Sequence, residues 1–92
     1  MAKFFRQSVV TVVSGWYGEV EHRDQQNHVL YTSTWFFRDD DTEPEEYSVR
    51  SLGRGRWLVE TETGWSRFMR TAQLERFFSR RPDYEKVYVT KA

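Results

Sequence analysis

The amino-acid sequence predicts an α+β fold: a mostly antiparallel sheet of five or six strands, with one short helix near the C-terminus before a final strand. Short runs of β-branched and aromatic residues recur along the chain and are separated by turn-forming residues. One stretch, residues 72–81, spaces its apolar residues as a helix does. The 92 residues suit a single domain, 1–92. The pattern allows either an open sheet or a small barrel-like one.

The N-terminal region predicts a buried strand followed by a turn. Residues 8–16 are mostly β-branched and apolar, as in a strand that is covered by its neighbours. Gly15 and Gly18 stand on either side of two aromatic residues, which favours a turn or a bulge at this point. A second, short strand is then expected over residues 20–23.

A polar turn at residues 24–27 leads into the strongest strand of the sequence, residues 28–38. Apolar, aromatic and hydroxyl side chains follow one another there in the manner of a strand with two distinct faces. The alternation places Val29, Tyr31, Ser33, Trp35 and Phe37 on one face and Leu30, Thr32, Thr34 and Phe36 on the other.

The segment 39–46 is predicted to be a solvated loop, because six of its eight residues are acidic and one is Pro44. Its spaced carboxylates imitate the opening of a calcium-binding loop. Such a loop needs glycine at its sixth position and glutamate at its twelfth, where this chain has Pro44 and Arg50. No metal site is therefore predicted here.

A first hairpin is expected over residues 47–62. A three-residue loop, Gly53–Gly55, sets Val49 opposite Val59, whereas a two-residue loop would set Val49 opposite Glu60. The three-residue loop also gives its last glycine the left-handed position that such loops need. We therefore expect the register that pairs the two valines.

A second turn at Thr63–Gly64 would join this hairpin to a further strand. The register that it implies matches apolar residues, opposite charges and a cation with an aromatic ring. The expected pairs are Glu60 with Arg67, Val59 with Phe68, Leu58 with Met69 and Trp57 with Arg70.

The helix is expected over residues 72–81, with Thr71 as its N-terminal cap and Pro82 as its stop. Three apolar side chains share one of its faces at i, i+3, i+4 spacing: Leu74, Phe77 and Phe78. Residues 84–90 alternate valine with larger side chains and predict the closing strand.

Composition and charge exclude several classes of function. The chain has no cysteine, which excludes disulfides, cysteine-bound zinc and thiol catalysis and favours a cytoplasmic location. The net charge is zero, but residues 1–50 carry −4 and residues 51–92 carry +4, so a uniformly basic nucleic-acid binder is excluded. No apolar run is long enough for a membrane span.

The sequence predicts no enzyme, no cofactor and no metal. It contains no phosphate-binding loop, dinucleotide fingerprint or nucleophile elbow. His22 and His28 are the two histidines, and their positions do not predict that they converge on one ion.

The second half of the chain interleaves arginine with aromatic residues, a combination that is common where proteins bind other macromolecules. Arg76 and Arg80 are expected on the outward face of the helix, four residues apart. The candidate partner-binding residues are Arg54, Arg56, Trp57, Arg67, Arg70, Arg76 and Arg80.

These observations predict a small cytoplasmic protein that binds another protein as an adaptor, regulator or inhibitor. The alternative is a nucleic-acid-binding protein that uses the basic, aromatic C-terminal half, since arginines can neutralise phosphates while aromatic rings stack on bases. Free sheet edges also leave homo-oligomerisation open.

Overall fold

A computed structural model of the protein describes residues 3–79 and 84–92. Within them it contains a six-stranded antiparallel sheet and one short helix, which confirms the predicted fold class, and the sheet is open rather than closed into a barrel. The elements are β1 (Gln7–Arg23), β2 (Val29–Arg38), β3 (Glu45–Gly53), β4 (Arg56–Thr61), β5 (Ser66–Arg70), α1 (Thr71–Phe77) and β6 (Glu85–Lys91).

Strand β1 runs without a break for 17 residues, so the turn or bulge predicted at Gly15 and Gly18 is wrong, whereas residues 20–23 do form a strand as the continuation of β1. The two glycines serve close packing instead. A Cβ atom at Gly18 would lie 2.5 Å from Nε1 of Trp35, and one at Gly15 would collide with the carbonyl oxygen of Phe37. Glycine is needed because rings and backbone of β2 lie directly against β1 at these points.

Strand β1 is shared between two parts of the molecule. Its first half pairs with β3 on one edge and β6 on the other, and its second half pairs with β2. The amides of Ser51 and Asp39 donate to the carbonyls of Arg6 and Ser14, so β2 and β3 lie end to end along the same edge of β1. Beyond Gly15, no other described strand pairs with either β1 or β2.

The second half of β1 and all of β2 therefore form a two-stranded ribbon, residues 15–38, which projects from the rest of the molecule. The molecule measures 56 × 32 × 20 Å and has a radius of gyration of 17.2 Å. A compact chain of this length would have a radius of gyration of about 12 Å. We call the other part, built on β3–β6, α1 and the first half of β1, the body.

The core of the body lies between one face of the sheet and α1. Every second residue of β1 up to Val12 contributes to it, as the period of a strand requires. The buried cluster consists of Val10, Val12, Val49, Val59, Met69, Leu74 and Phe78.

The N-terminal segment closes one side of this core. The Phe4 ring packs against the rings of Trp57 and Phe78, with centroids 6.1 and 5.8 Å away. Ser8 is buried, and its hydroxyl accepts from the amide of Phe5 and donates to the carbonyl of the same residue. This reciprocal pair satisfies the buried hydroxyl and holds the segment against the sheet.

The β3–β4 hairpin pairs Val49 with Val59 as predicted, but the predicted three-residue loop is wrong. Gly53 pairs with Arg56, so the turn is the two residues Arg54 and Gly55, both left-handed at φ 55° and 72°, and a register shift between Ser51 and Gly53 brings the two valines opposite each other.

The predicted β4–β5 register is wrong by one residue, because Glu62–Gly64 forms a three-residue loop. The Thr61 amide donates to the Trp65 carbonyl across this loop, and the Gly64 amide donates to the Thr61 carbonyl. Gly64, at φ 90°, is the last residue of this loop, as Gly55 is the last residue of the β3–β4 turn.

The shift changes which side chains of β5 reach the core. The pairs are Val59 with Arg67, Leu58 with Phe68, Trp57 with Met69 and Arg56 with Arg70. Met69 is consequently buried, whereas Phe68, expected beside Val59, is 72% exposed on the other face.

The helix is shorter than predicted, and Arg70 rather than Thr71 is its N-cap. The Thr71 hydroxyl is engaged elsewhere, since it accepts from the indole nitrogen of Trp57 and donates to the carbonyl of Gly55. The inward face is confirmed: Leu74 and Phe78 are buried, and Phe77 packs against them. Arg80 and the predicted stop at Pro82 lie outside the described residues.

The two polar connections are compact turns. In the predicted turn at residues 24–27, the Asp24 carboxylate accepts from the amides of Gln26 and His28. In the acidic loop, the Asp39 carboxylate accepts from the Asp41 amide and the Thr42 hydroxyl, and β3 already begins at Glu45. Within the described ranges, no three potential metal ligands are grouped. The helix found there, seven residues long, is too short to cross a membrane.

Candidate interaction surfaces

The structure distributes the predicted arginine residues over both faces of the body. Arg56 and Arg70 lie directly opposite each other on the face that α1 leaves uncovered. Arg67 lies on the helix-covered face, where it borders a shallow hollow of about 310 Å³ together with Arg76 of α1. Arg54 is exposed in the β3–β4 loop.

Two cross-strand pairs expected for these residues are wrong. Arg67 does not face Glu60 and Arg70 does not face Trp57, because of the register shift. Trp57 is half-buried, with its ring against Phe4, so it belongs to the edge of the core. In the part of the chain that the structure describes, the four arginines of the hairpin and β5 and that of α1 form no ion pair.

Arg56 and Arg70 border a second hollow on the uncovered face, of about 310 Å³. Phe68 and Leu52 line its apolar part, and Phe68 is the most exposed large apolar side chain of the described residues. Two like charges placed directly opposite each other on neighbouring strands repel. An anion bound between them would relieve that repulsion.

The ribbon carries a surface that the sequence analysis did not identify. Residues at even positions of β1 and odd positions of β2 point to the same face, because the register pairs Trp16 with Phe37 and His22 with Tyr31. We define the aromatic ladder as the side chains on this face: Trp16, Val20, His22, Tyr31, Trp35 and Phe37.

The rings at the base of the aromatic ladder pack on one another. Trp16 stacks on Phe37 with centroids 4.5 Å apart, and the edge of Trp35 meets Phe37 at 5.9 Å. The Trp35 indole lies over Gly18, whose missing side chain leaves room for it. Packed rings lose little conformational entropy on binding and give a rigid apolar surface.

The tip of the aromatic ladder combines an aromatic stack with a hydrogen bond. The His22 imidazole stacks on the Tyr31 ring at 4.2 Å, and its Nε2 lies 3.0 Å from the Ser33 hydroxyl oxygen. A base beside a hydroxyl is also the contact that activates a nucleophile. Among the described residues, however, no carboxylate orients His22 by a hydrogen bond. We therefore treat this contact as part of the packing of the ribbon.

The opposite face of the ribbon is more polar, although it also carries Leu30, which is 63% exposed. It carries Glu19 and Glu21 of β1 opposite Thr34 and Thr32 of β2. Near the body, the ring of Phe36 packs with Tyr17, and the Lys86 ammonium lies 5.9 Å from the Phe36 centroid. The ribbon is thus amphipathic, with an apolar and a polar face.

The aromatic ladder is exposed because α1 covers only the body. The even-numbered residues of β1 share this face along the whole strand. They are buried from Ser8 to Val12, whereas Trp16 is 56% exposed. Tyr31, near the tip, is 59% exposed. The core face of the sheet thus continues beyond the part that α1 covers, and exposed apolar faces are common where proteins bind partners.

No protein-family model, no curated protein and no solved structure matches this chain. The molecule offers two candidate interaction surfaces, the aromatic ladder of the ribbon and the arginine-flanked hollow of the body.

Proposed function

We propose that the protein is a binding module that attaches to another protein through the aromatic ladder and acts as an adaptor, regulator or inhibitor. The observation that carries this proposal is the amphipathic ribbon with its apolar face uncovered. A protein partner is favoured because Trp and Tyr dominate the energetics of protein interfaces. The ladder itself contains no lysine or arginine with which to bind phosphate.

The test compares two faces of the same strand pair. Trp16→Ser with Tyr31→Ser removes the two most exposed rings of the aromatic ladder. Tyr17→Ser, on the opposite face of β1, is the matched control. The partner is first captured from an extract of the native host, purified, and then titrated against each variant by isothermal calorimetry.

We expect the ladder variant to bind at least tenfold more weakly, a loss of about 1.4 kcal/mol, and Tyr17→Ser to bind as the unchanged protein does. Circular dichroism confirms that each variant is folded. Equal affinity of the unchanged protein and the ladder variant would contradict the proposal.

A nucleic-acid partner is the second candidate, and the hollow between Arg56 and Arg70 favours it. An exposed ring, that of Phe68, lies beside two cations that no described acid neutralises, which is the combination that stacks on bases and binds phosphates. On this hypothesis a single-stranded oligonucleotide binds with an affinity that falls steeply as salt rises. Arg56→Gln with Arg70→Gln abolishes that binding, whereas Arg23→Gln, whose arginine pairs with Glu21, does not.

The remaining predicted contacts, Arg54, Arg67 and Arg76, stay candidate contributors to either partner. We also propose that the protein acts in the cytoplasm, because a chain without cysteine gains nothing from an oxidising compartment. Fractionation of native cells with an antibody against the protein tests this location.

A further inference from the structure

The outer edge of β2 is open. In β1, the even-numbered residues direct their backbone groups towards β2, as the hydrogen bond from the Asp39 amide to the Ser14 carbonyl shows. Odd-numbered residues of β2 therefore bond to β1, and the N–H and C=O groups of the even-numbered residues point outwards. Within the described residues, no strand pairs with that edge.

This edge also lacks the charges that protect edge strands from pairing. Strand β5 carries two arginines in five residues, and β6 carries three charged residues in seven. Strand β2 has no charged residue from Val29 to Phe37 and no proline. Because β5 and β6 carry such charges and β2 does not, the contrast indicates that another strand covers the outer edge of β2.

The sequence of β2 indicates what covers it. From Val29 to Phe37 it reads V-L-Y-T-S-T-W-F-F, which is nearly palindromic in residue character about Ser33. Antiparallel pairing of two identical strands about a two-fold axis places each residue opposite its mirror position. A palindrome is therefore the pattern in which a strand matches itself.

We propose that two copies of the chain pair through β2, antiparallel, with the two-fold axis at Ser33. Each residue then meets a partner of its own kind, and such cross-strand pairs stabilise sheets. The pairs between copies are Thr32 with Thr34, Tyr31 with Trp35, Leu30 with Phe36 and Val29 with Phe37. A shift by two residues would instead set Thr32 opposite Phe36 and Ser33 opposite Trp35.

The backbone directions agree with this register. The even-numbered residues, Thr32 and Thr34 among them, supply the outward N–H and C=O groups and form the hydrogen-bonded pairs. Ser33 then meets its own copy in a non-hydrogen-bonded pair, whose Cα atoms are about 4.5 Å apart. The result is a four-stranded sheet with both aromatic ladders on one face, which also resolves the marginal stability of an isolated two-stranded ribbon.

The first test measures mass in solution by sedimentation equilibrium. Thr34→Pro removes an outward N–H without removing a bond to β1, and Thr34→Ala is the control that keeps this N–H. We expect the unchanged protein and Thr34→Ala to be dimers and Thr34→Pro to be a monomer. A monomeric unchanged protein, or a dimeric Thr34→Pro, would overturn the proposal.

The second test holds even if the proline variant does not fold. The chain has no cysteine, so Ser33→Cys introduces a single thiol at the proposed axis, and Ser66→Cys introduces one on the exposed edge strand β5. Under mild oxidation we expect Ser33→Cys to form a disulfide-linked dimer rapidly and Ser66→Cys to remain largely monomeric. Equal rates of cross-linking in the two variants would overturn the proposal.

Discussion

At the scale of single residues, the register between neighbouring strands determines which side chains reach the core. Val59 is fully buried, and it lies with Val49, Met69 and Leu74 in one cluster. Phe68, next to Met69 in sequence, lies on the opposite face of the same strand. A one-residue change of register would exchange the two, since neighbouring residues of a strand point to opposite faces.

Substitution to alanine measures this register directly. We expect Val59→Ala to lower the free energy of unfolding by roughly 1–3 kcal/mol, because it leaves a cavity in a packed core. Phe68→Ala should change it by less than about 0.5 kcal/mol, as is usual for an exposed side chain. Urea unfolding measures both values, and a Phe68→Ala loss as large as that of Val59→Ala would favour the alternative register.

At the scale of elements, local chemistry made some of the structure predictable. The glycines at positions 53 and 55 made a tight β3–β4 turn predictable. The turn itself is the two-residue Arg54–Gly55, and the predicted pairing of Val49 with Val59 results from the register shift between Ser51 and Gly53, which the sequence did not reveal. The β4–β5 loop was ambiguous, since Gly64 can close either a two- or a three-residue loop. The helix cap could not be predicted, because the Thr71 hydroxyl bonds to Trp57 and Gly55, which are distant in sequence.

The ribbon illustrates a second reason why the structure could be predicted only in part from the sequence. Alternation along β2 correctly predicted which side chains share a face, for instance Tyr31, Trp35 and Phe37. It could not predict that this face is solvent-exposed, because alternation does not reveal whether anything covers a sheet. The arginine residues could be identified from composition alone. The aromatic ladder could not, because it forms only if β1 continues through Gly15 and Gly18 as one strand.

The acidic loop gives a prediction at the same scale. The Asp39 carboxylate organises the turn by accepting two hydrogen bonds, whereas Asp40 is exposed and accepts none from the described residues. We expect Asp39→Ala to lower the free energy of unfolding by about 1 kcal/mol and Asp40→Ala to leave it nearly unchanged. Urea unfolding tests the pair, and equal effects of the two substitutions would contradict the assigned role of Asp39.

At the scale of the whole molecule, a small packed body carries a long ribbon whose apolar face is uncovered. The body contains the buried core, which α1 and the Phe4 segment close. The ribbon adds exposed aromatic surface, which costs solubility and has no role in the core of the body. On the proposed function, the body supplies stability and the ribbon supplies the binding surface.

The measurement that tests this claim most directly is a nuclear magnetic resonance titration of the isotope-labelled protein with its purified partner. We predict that the largest amide shift changes fall in residues 16–22 and 31–37, the strands that carry the aromatic ladder, and that β5 and α1 change little. Shift changes concentrated at Arg67, Arg70 and Arg76, with the ribbon unaffected, would contradict the proposed function and place the binding surface on the body.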